Sequence, residues 1–132
     1  MTTNQQTVRQ YIDAFNRGDL DGICACFAPD ALIFGVLGWG KIDVARPIWK
    51  DLIESLQLQF EPTAMIEQDN IIAVRIVERG KSVKPFRGHP ATGKTYEVIA
   101  IEWLEMKDGK ILCRWGARDS AAIFRQLGFA AT

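Results

Sequence analysis

The dipeptide Asp108-Gly109 lies between YEVIAIEWLEM and KILCRWGARD, and this arrangement constrains the fold more than any other feature of the chain. Asp-Gly between two β-rich runs favours a turn in which both central residues take positive φ, so it predicts a two-residue antiparallel hairpin. Counting back from a Lys107–Lys110 pair sets Met106 opposite Ile111, Leu104 opposite Cys113, Glu102 opposite Trp115, Ala100 opposite Ala117 and Val98 opposite Asp119. Side chains alternate along a strand. Tyr96, Val98, Ala100, Glu102, Leu104 and Met106 therefore share one face with Cys113, Trp115, Ala117 and Asp119. Glu102 and Asp119 are the only charges on it. Ile99, Ile101, Trp103, Arg114 and Arg118 fall on the opposite face.

The elements before this hairpin are read from periodicity. Val8, Tyr11, Ile12 and Phe15 recur at helical spacing, with Thr3 or Asn4 as the cap and Gly18 at the end. Asp19 caps a short second helix through LDGICACF, which Pro29 prevents from continuing. ALIFGVL from Ala31 reads as a strand broken by GWGK. Asp43 is the expected cap of a third helix to about Leu56, with Pro47 in its first turn. LQFEPTAMIEQ and IIAVRIVERG form a second hairpin around Asp69-Asn70, and KSVKPFRGHPATGK is an excursion between the hairpins. Helices followed by a largely antiparallel sheet predict an α+β fold, with the helices packed on one face of a curved sheet.

With 132 residues, 48% of them hydrophobic, the chain is expected to form a single domain over 1–132. Sixteen basic and sixteen acidic residues balance, which argues against a nucleic-acid partner. No long apolar run or leader-like start is present, so no membrane association and a cytoplasmic location are expected. Cys24, Cys26 and Cys113 lack the spacing of a zinc site or disulfide framework and read as core. No metal or cofactor is expected.

YIDAFNRGDLDGICACFAPDALI resembles the opening of the nuclear transport factor 2-like (cystatin-like) superfamily, and of ketosteroid isomerases within it. RGHPATGKTYEVIAIEWLEMKDGKILCRWGARDSAAIFRQLG resembles SnoaL-like polyketide cyclases, with their TGK loop, DGKI turn, WxxxD and QLG. The resemblance implies a cone-shaped fold whose pocket lies on the Glu102 face. It also implies a cofactor-independent lyase or isomerase acting on a small hydrophobic carbonyl compound. Tyr11 and a neutral Glu102 would hold a developing oxyanion, and Asp119, the aspartate of WxxxD, would be the base. Gly35 stands where the isomerases carry their base, which argues against steroid isomerisation. Expected substrate contacts are Trp115, Tyr96, Phe34, Trp39, Arg75 and Leu104.

Each residue also has a plainer reading. Asp119 precedes SAAIFRQL and could simply cap that helix. Burial disfavours the charged form of Glu102, unless it pairs with Arg75 in IIAVRIV. Tyr11 lies on an apolar stripe and could be core. His89 is in a loop and expected to be exposed. The four tryptophans suit core or interface, with Trp115 alone placed to stack on a planar ligand. A homodimer through the outer sheet face is expected. The alternatives to proton transfer are a non-catalytic binding module and epoxide opening by water held between Asp119 and Arg75.

Overall fold

The computed structural model describes residues 1–129; residues 130–132 of the expected domain lie outside the described residues. Thr2, rather than Thr3 or Asn4, caps helix α1 (Thr3–Arg17), because a reciprocal bond with Gln5 completes a capping box. Gly18 ends it at φ 68°, a conformation costly for residues with a Cβ. Asp19 caps α2 (Leu20–Ala25) by accepting from the Gly22 amide at 2.9 Å. Strand β1 (Phe27–Gly35) begins four residues earlier than Ala31 and turns back as β2 (Gly38–Gly40). Helix α3 (Ile42–Leu56) takes Lys41 as N-cap, so Asp43 belongs to the first turn instead of capping it.

The rest of the sheet is a meander of β3 (Gln59–Gln68), β4 (Ile71–Lys81), β5 (Thr95–Lys107) and β6 (Lys110–Arg118), followed by α4 (Ser120–Leu127). The strand order is β2-β1-β6-β5-β4-β3 in a curved, unclosed sheet. All neighbours run antiparallel except β1 and β6, which are parallel. The fold is α+β, as the order of elements predicts. Among the described residues no helix is long and apolar enough to cross a membrane.

Strict alternation along β5 buries Tyr96, Val98, Ala100, Glu102, Leu104 and Met106. Helices α1 and α3 close over this face through an aromatic cluster in which Phe15 meets Tyr11, Trp49 and Phe60 at 5.1–5.7 Å between ring centroids. The other face leaves Ile99, Ile101, Trp103 and Trp115 exposed. Phe34 stacks between Trp39 and Trp115 beside them. Cys26 is buried, Cys24 and Cys113 are half-buried, and all three are free.

The β5–β6 register departs from the regular count. Lys107 faces Lys110 and Met106 faces Ile111, but Glu105 then faces Cys113, leaving Leu112 as an extra residue in β6. Such a bulge reverses the parity of every residue beyond it. Leu104 faces Arg114, Glu102 faces Gly116 and Ala100 faces Arg118. The two arginines therefore point inward, whereas Trp115 sits opposite Trp103 on the outer face.

Candidate active site

Four charged side chains, Glu78, Glu102, Arg114 and Arg118, interrupt an otherwise apolar cavity of ≈ 50 Å³ beneath α1 and α3. Its walls include Phe15, Ile33, Leu37, Trp49, Leu52 and Phe60. Trp39 lines it while remaining 71% exposed, which marks the mouth. Burying a charge in such a wall is costly unless a partner and hydrogen bonds compensate it, and the four charges are paired accordingly.

At one end Glu102, 2% exposed, accepts the Tyr11 hydroxyl proton on Oε1 at 2.7 Å and the Arg114 Nη2 on Oε2 at 2.7 Å. At the other, Glu78, fully buried, accepts both the Tyr96 hydroxyl and the Arg118 Nη1 on Oε2, each at 2.5 Å. The residue types match, yet the saturation differs. Both oxygens of Glu102 are used, whereas Oε1 of Glu78 has no hydrogen-bond partner among the described residues. Among the described residues the Nε atoms of Arg114 and Arg118 likewise find no partner, though both are buried. Such groups are uncommon and call for an explanation.

Burial, reinforced by the Glu102 carboxylate, holds the Tyr11 phenol well above its ordinary pKa, against the opposing pull of Arg114. Burial and then the charge on Glu78 do the same to Tyr96. Burial alone would weaken the protonated form of Arg114, but Glu102 and the Tyr11 hydroxyl outweigh it and push its pKa up. The tyrosines are thus neutral donors and Arg114 is a fixed cation.

The structure brings Tyr11 and Glu102 together but gives Glu102 a cation, Arg114, in place of the apolar surroundings expected to keep it neutral. Arg75 is not that partner: it lies exposed on the outer face, and its Nε donates to Thr63 Oγ1 at 2.9 Å. Asp119 does not face the cavity. It is exposed beyond the end of β6 and caps α4, accepting from the Ala122 amide at 2.9 Å. The bulge carries Trp115 away to stack on Phe34, and both lie outside the cavity lining. Tyr96 stands behind Glu78, Leu104 is fully buried core, and Trp39 alone among the expected contacts lines the cavity. The half-buried His89 stacks on Phe129 at 4.5 Å.

Three members of the site, Glu78, Arg114 and Arg118, were not expected from the sequence. Their signal is charge balance. Glu78 continues the inward series Ile72, Val74, Ile76, and two inward acids require two cations of matching parity. Gly35 also finds its explanation: a Cβ placed there would come within 3.1 Å of the Arg114 Nη1. The guanidinium thus sits beside the position from which the isomerases project a carboxylate.

Residues 8–113 match the SnoaL-like domain model. The chain belongs to the SnoaL-like domain family. It matches no curated protein. Among solved structures it is similar to IdmH of Streptomyces antibioticus, named as a candidate polyketide cyclase, at 24% identity and TM-score 0.84 over 95% of this chain and 98% of that one. AclR of Streptomyces galilaeus, named as a candidate hydroxylase, superposes at 21% identity and TM-score 0.86 over 95% of each chain. A nuclear transport factor 2-like protein of unknown function from Burkholderia pseudomallei does so at 22% identity and TM-score 0.79, over 96% of this chain and 98% of that one. Likeness at these identities establishes the SnoaL-like fold and leaves the chemistry to the site itself.

Proposed function

We propose that this SnoaL-like chain is a cofactor-independent proton-transfer catalyst of cyclase or isomerase type, acting on a small apolar carbonyl compound. The observation that carries this reading is the unpartnered Oε1 of the fully buried Glu78 in an apolar cavity, beside Arg118 with an unpartnered Nε–H. The ion pair with Arg118 offsets the cost that an isolated buried carboxylate would carry. Oε1 takes the proton from the carbon next to the carbonyl, and Arg118 holds the enolate oxygen that results. Negative charge moves from carboxylate to enolate beside one guanidinium, so the net charge of the site does not change. The proton then returns to a different carbon in an isomerisation. In a cyclisation the enolate carbon adds to a second carbonyl and the proton goes to the new alkoxide. Tyr96 positions Glu78, and the cavity excludes competing water.

Incubating the protein with β-dicarbonyl and enone compounds in D₂O, with exchange of the α-hydrogens followed by NMR, tests this reading. Wild type is expected to exceed the buffer rate, and Glu78→Gln to lose about 10²–10⁴-fold. Asp119→Asn should retain the rate, because it keeps the helix cap and lies outside the cavity. Binding without exchange in every case would assign the chain as a binding module. A second reading, epoxide opening by water held between Glu78 and Arg118, draws on the same pair, and an epoxide belongs in the panel for that reason. The exposed Ile99, Ile101, Trp103 and Trp115 support a homodimer through the outer face.

A further inference from the structure

We infer that the compound bound here carries a second oxygen acceptor, set toward the opposite end of the cavity from the reacting carbonyl, and that Arg114 recognises it as a neutral carbonyl. This rests on the reading of Glu78 and Arg118 as the reacting end. The two ends differ in what they leave unused. Glu78 and Arg118 present one acceptor and one donor, as proton removal beside a carbonyl requires. The Glu102 end has spent both of its carboxylate oxygens on Tyr11 and Arg114, leaving the buried Nε–H of Arg114 as a donor with nothing to receive it. A site of this kind takes an oxygen that accepts and need not donate. Glu102 already neutralises the guanidinium at 2.7 Å, so a ketone or ester carbonyl matches it better than a carboxylate, which would bring an uncompensated charge into the cavity.

Two features hold Arg114 in place. A Cβ at Gly116 would lie 2.6 Å from its Nη2 and 2.7 Å from its Cζ, and one at Gly35 would lie 3.1 Å from its Nη1. Glycines on two neighbouring strands thus leave a shelf that the planar guanidinium fills. The spacing between the ends follows from the ladder. Glu102 faces Val74, four residues before Glu78 on β4, a separation of about 13 Å on a flat ladder at the usual rise and less where the sheet curls. Ala100, the inward residue next to Glu102, is small and lines the cavity floor between the two ends. A monofunctional ketone could occupy the reacting end but would leave the Arg114 donor buried and unpaired, which costs affinity.

The test compares 1,4-diacetylbenzene with 4-ethylacetophenone, which keeps the shape and lacks the second oxygen. Calorimetric titration of the full chain reads the affinities, and exchange of the acetyl hydrogens in D₂O is followed in parallel. The diketone is expected to bind wild type about 10–100-fold more tightly. Arg114→Lys preserves the charge facing Glu102 but loses the fork, and should reduce that preference to within a few fold. Gly116→Ala, which crowds the guanidinium, should move it the same way. Equal affinities in wild type, a preference that survives Arg114→Lys, or no binding of the diketone at millimolar concentration would each overturn the inference. Preference for the diketone without exchange would support the second oxygen site and sink the catalytic reading, so the two fail separately.

Discussion

The two ends of the cavity are built from the same three residue types, tyrosine, glutamate and arginine, yet they are not equivalent. At the Glu102 end the two donors are shared between the two oxygens; at the Glu78 end both converge on Oε2. The first arrangement is closed and the second leaves one buried carboxylate oxygen without a partner among the described residues. Which oxygen each donor selects, and not which residues are present, separates a holding group from a reacting one. Identity alone would have scored the ends alike.

Breaking either ion pair is expected to have the largest effect on the fold. Arg118→Met strands Glu78, and Glu102→Leu strands Arg114, each costing about 3–5 kcal/mol because the remaining charge is buried. The double change Glu78→Leu with Arg118→Met should cost less than Arg118→Met alone. Urea denaturation midpoints check both, and a double variant as damaged as the single would deny that the charges matter as a pair.

The tyrosines sharpen the contrast. Tyr11→Phe removes the partner of Glu102 Oε1 and should cost about 1–3 kcal/mol, whereas after Tyr96→Phe the Oε2 of Glu78 keeps Arg118, and the loss should be nearer 1 kcal/mol. The reverse order in thermal or chemical denaturation would show that the donor distribution is not what sets the ends apart.

The smallest change is spectroscopic. Both of the chain's tyrosines are buried with raised pKa values, chiefly through desolvation. A phenol kept neutral by the fold contributes stability that is fully present below the unfolded value of about 10 and is lost as pH rises beyond it. Tyrosinate absorbance near 295 nm should therefore stay absent as pH passes 10–11 and rise only together with loss of circular dichroism. A separate ionisation step in the folded protein would contradict the burial of at least one of the two.

Much of the architecture was legible in the chain. The alternation through Tyr96–Met106, the Asp108-Gly109 turn and the stripe Val8, Tyr11, Ile12, Phe15 each carried enough period to place its element. The Glu102–Tyr11 contact also followed from those faces with the family resemblance. The arginines did not, and the reason is local. Ile111, Leu112 and Cys113 are all apolar, so this segment fits either parity and does not mark the residue that bulges. Beyond it, a regular count turns Trp115 inward and the arginines outward, in line with ordinary burial preferences. Only the requirement that buried Glu78 and Glu102 be neutralised points the other way, and that requirement emerges once both strands are aligned. Asp119 misled for a related reason: a cap and a base look alike in sequence when the strand's parity is unknown.

The extra residue at Leu112 carries an evolutionary consequence. By parity, a descendant that lost it would recover an even ladder with Arg114 and Arg118 still turned inward. A descendant that gained one residue between positions 112 and 114, and kept the ladder in step, would turn the strand over and offer the hollow a tryptophan in place of its cations. Insertions and deletions at this point are therefore not symmetric: one preserves the electrical character of the chamber, and the other reverses it without altering a single ancestral amino acid.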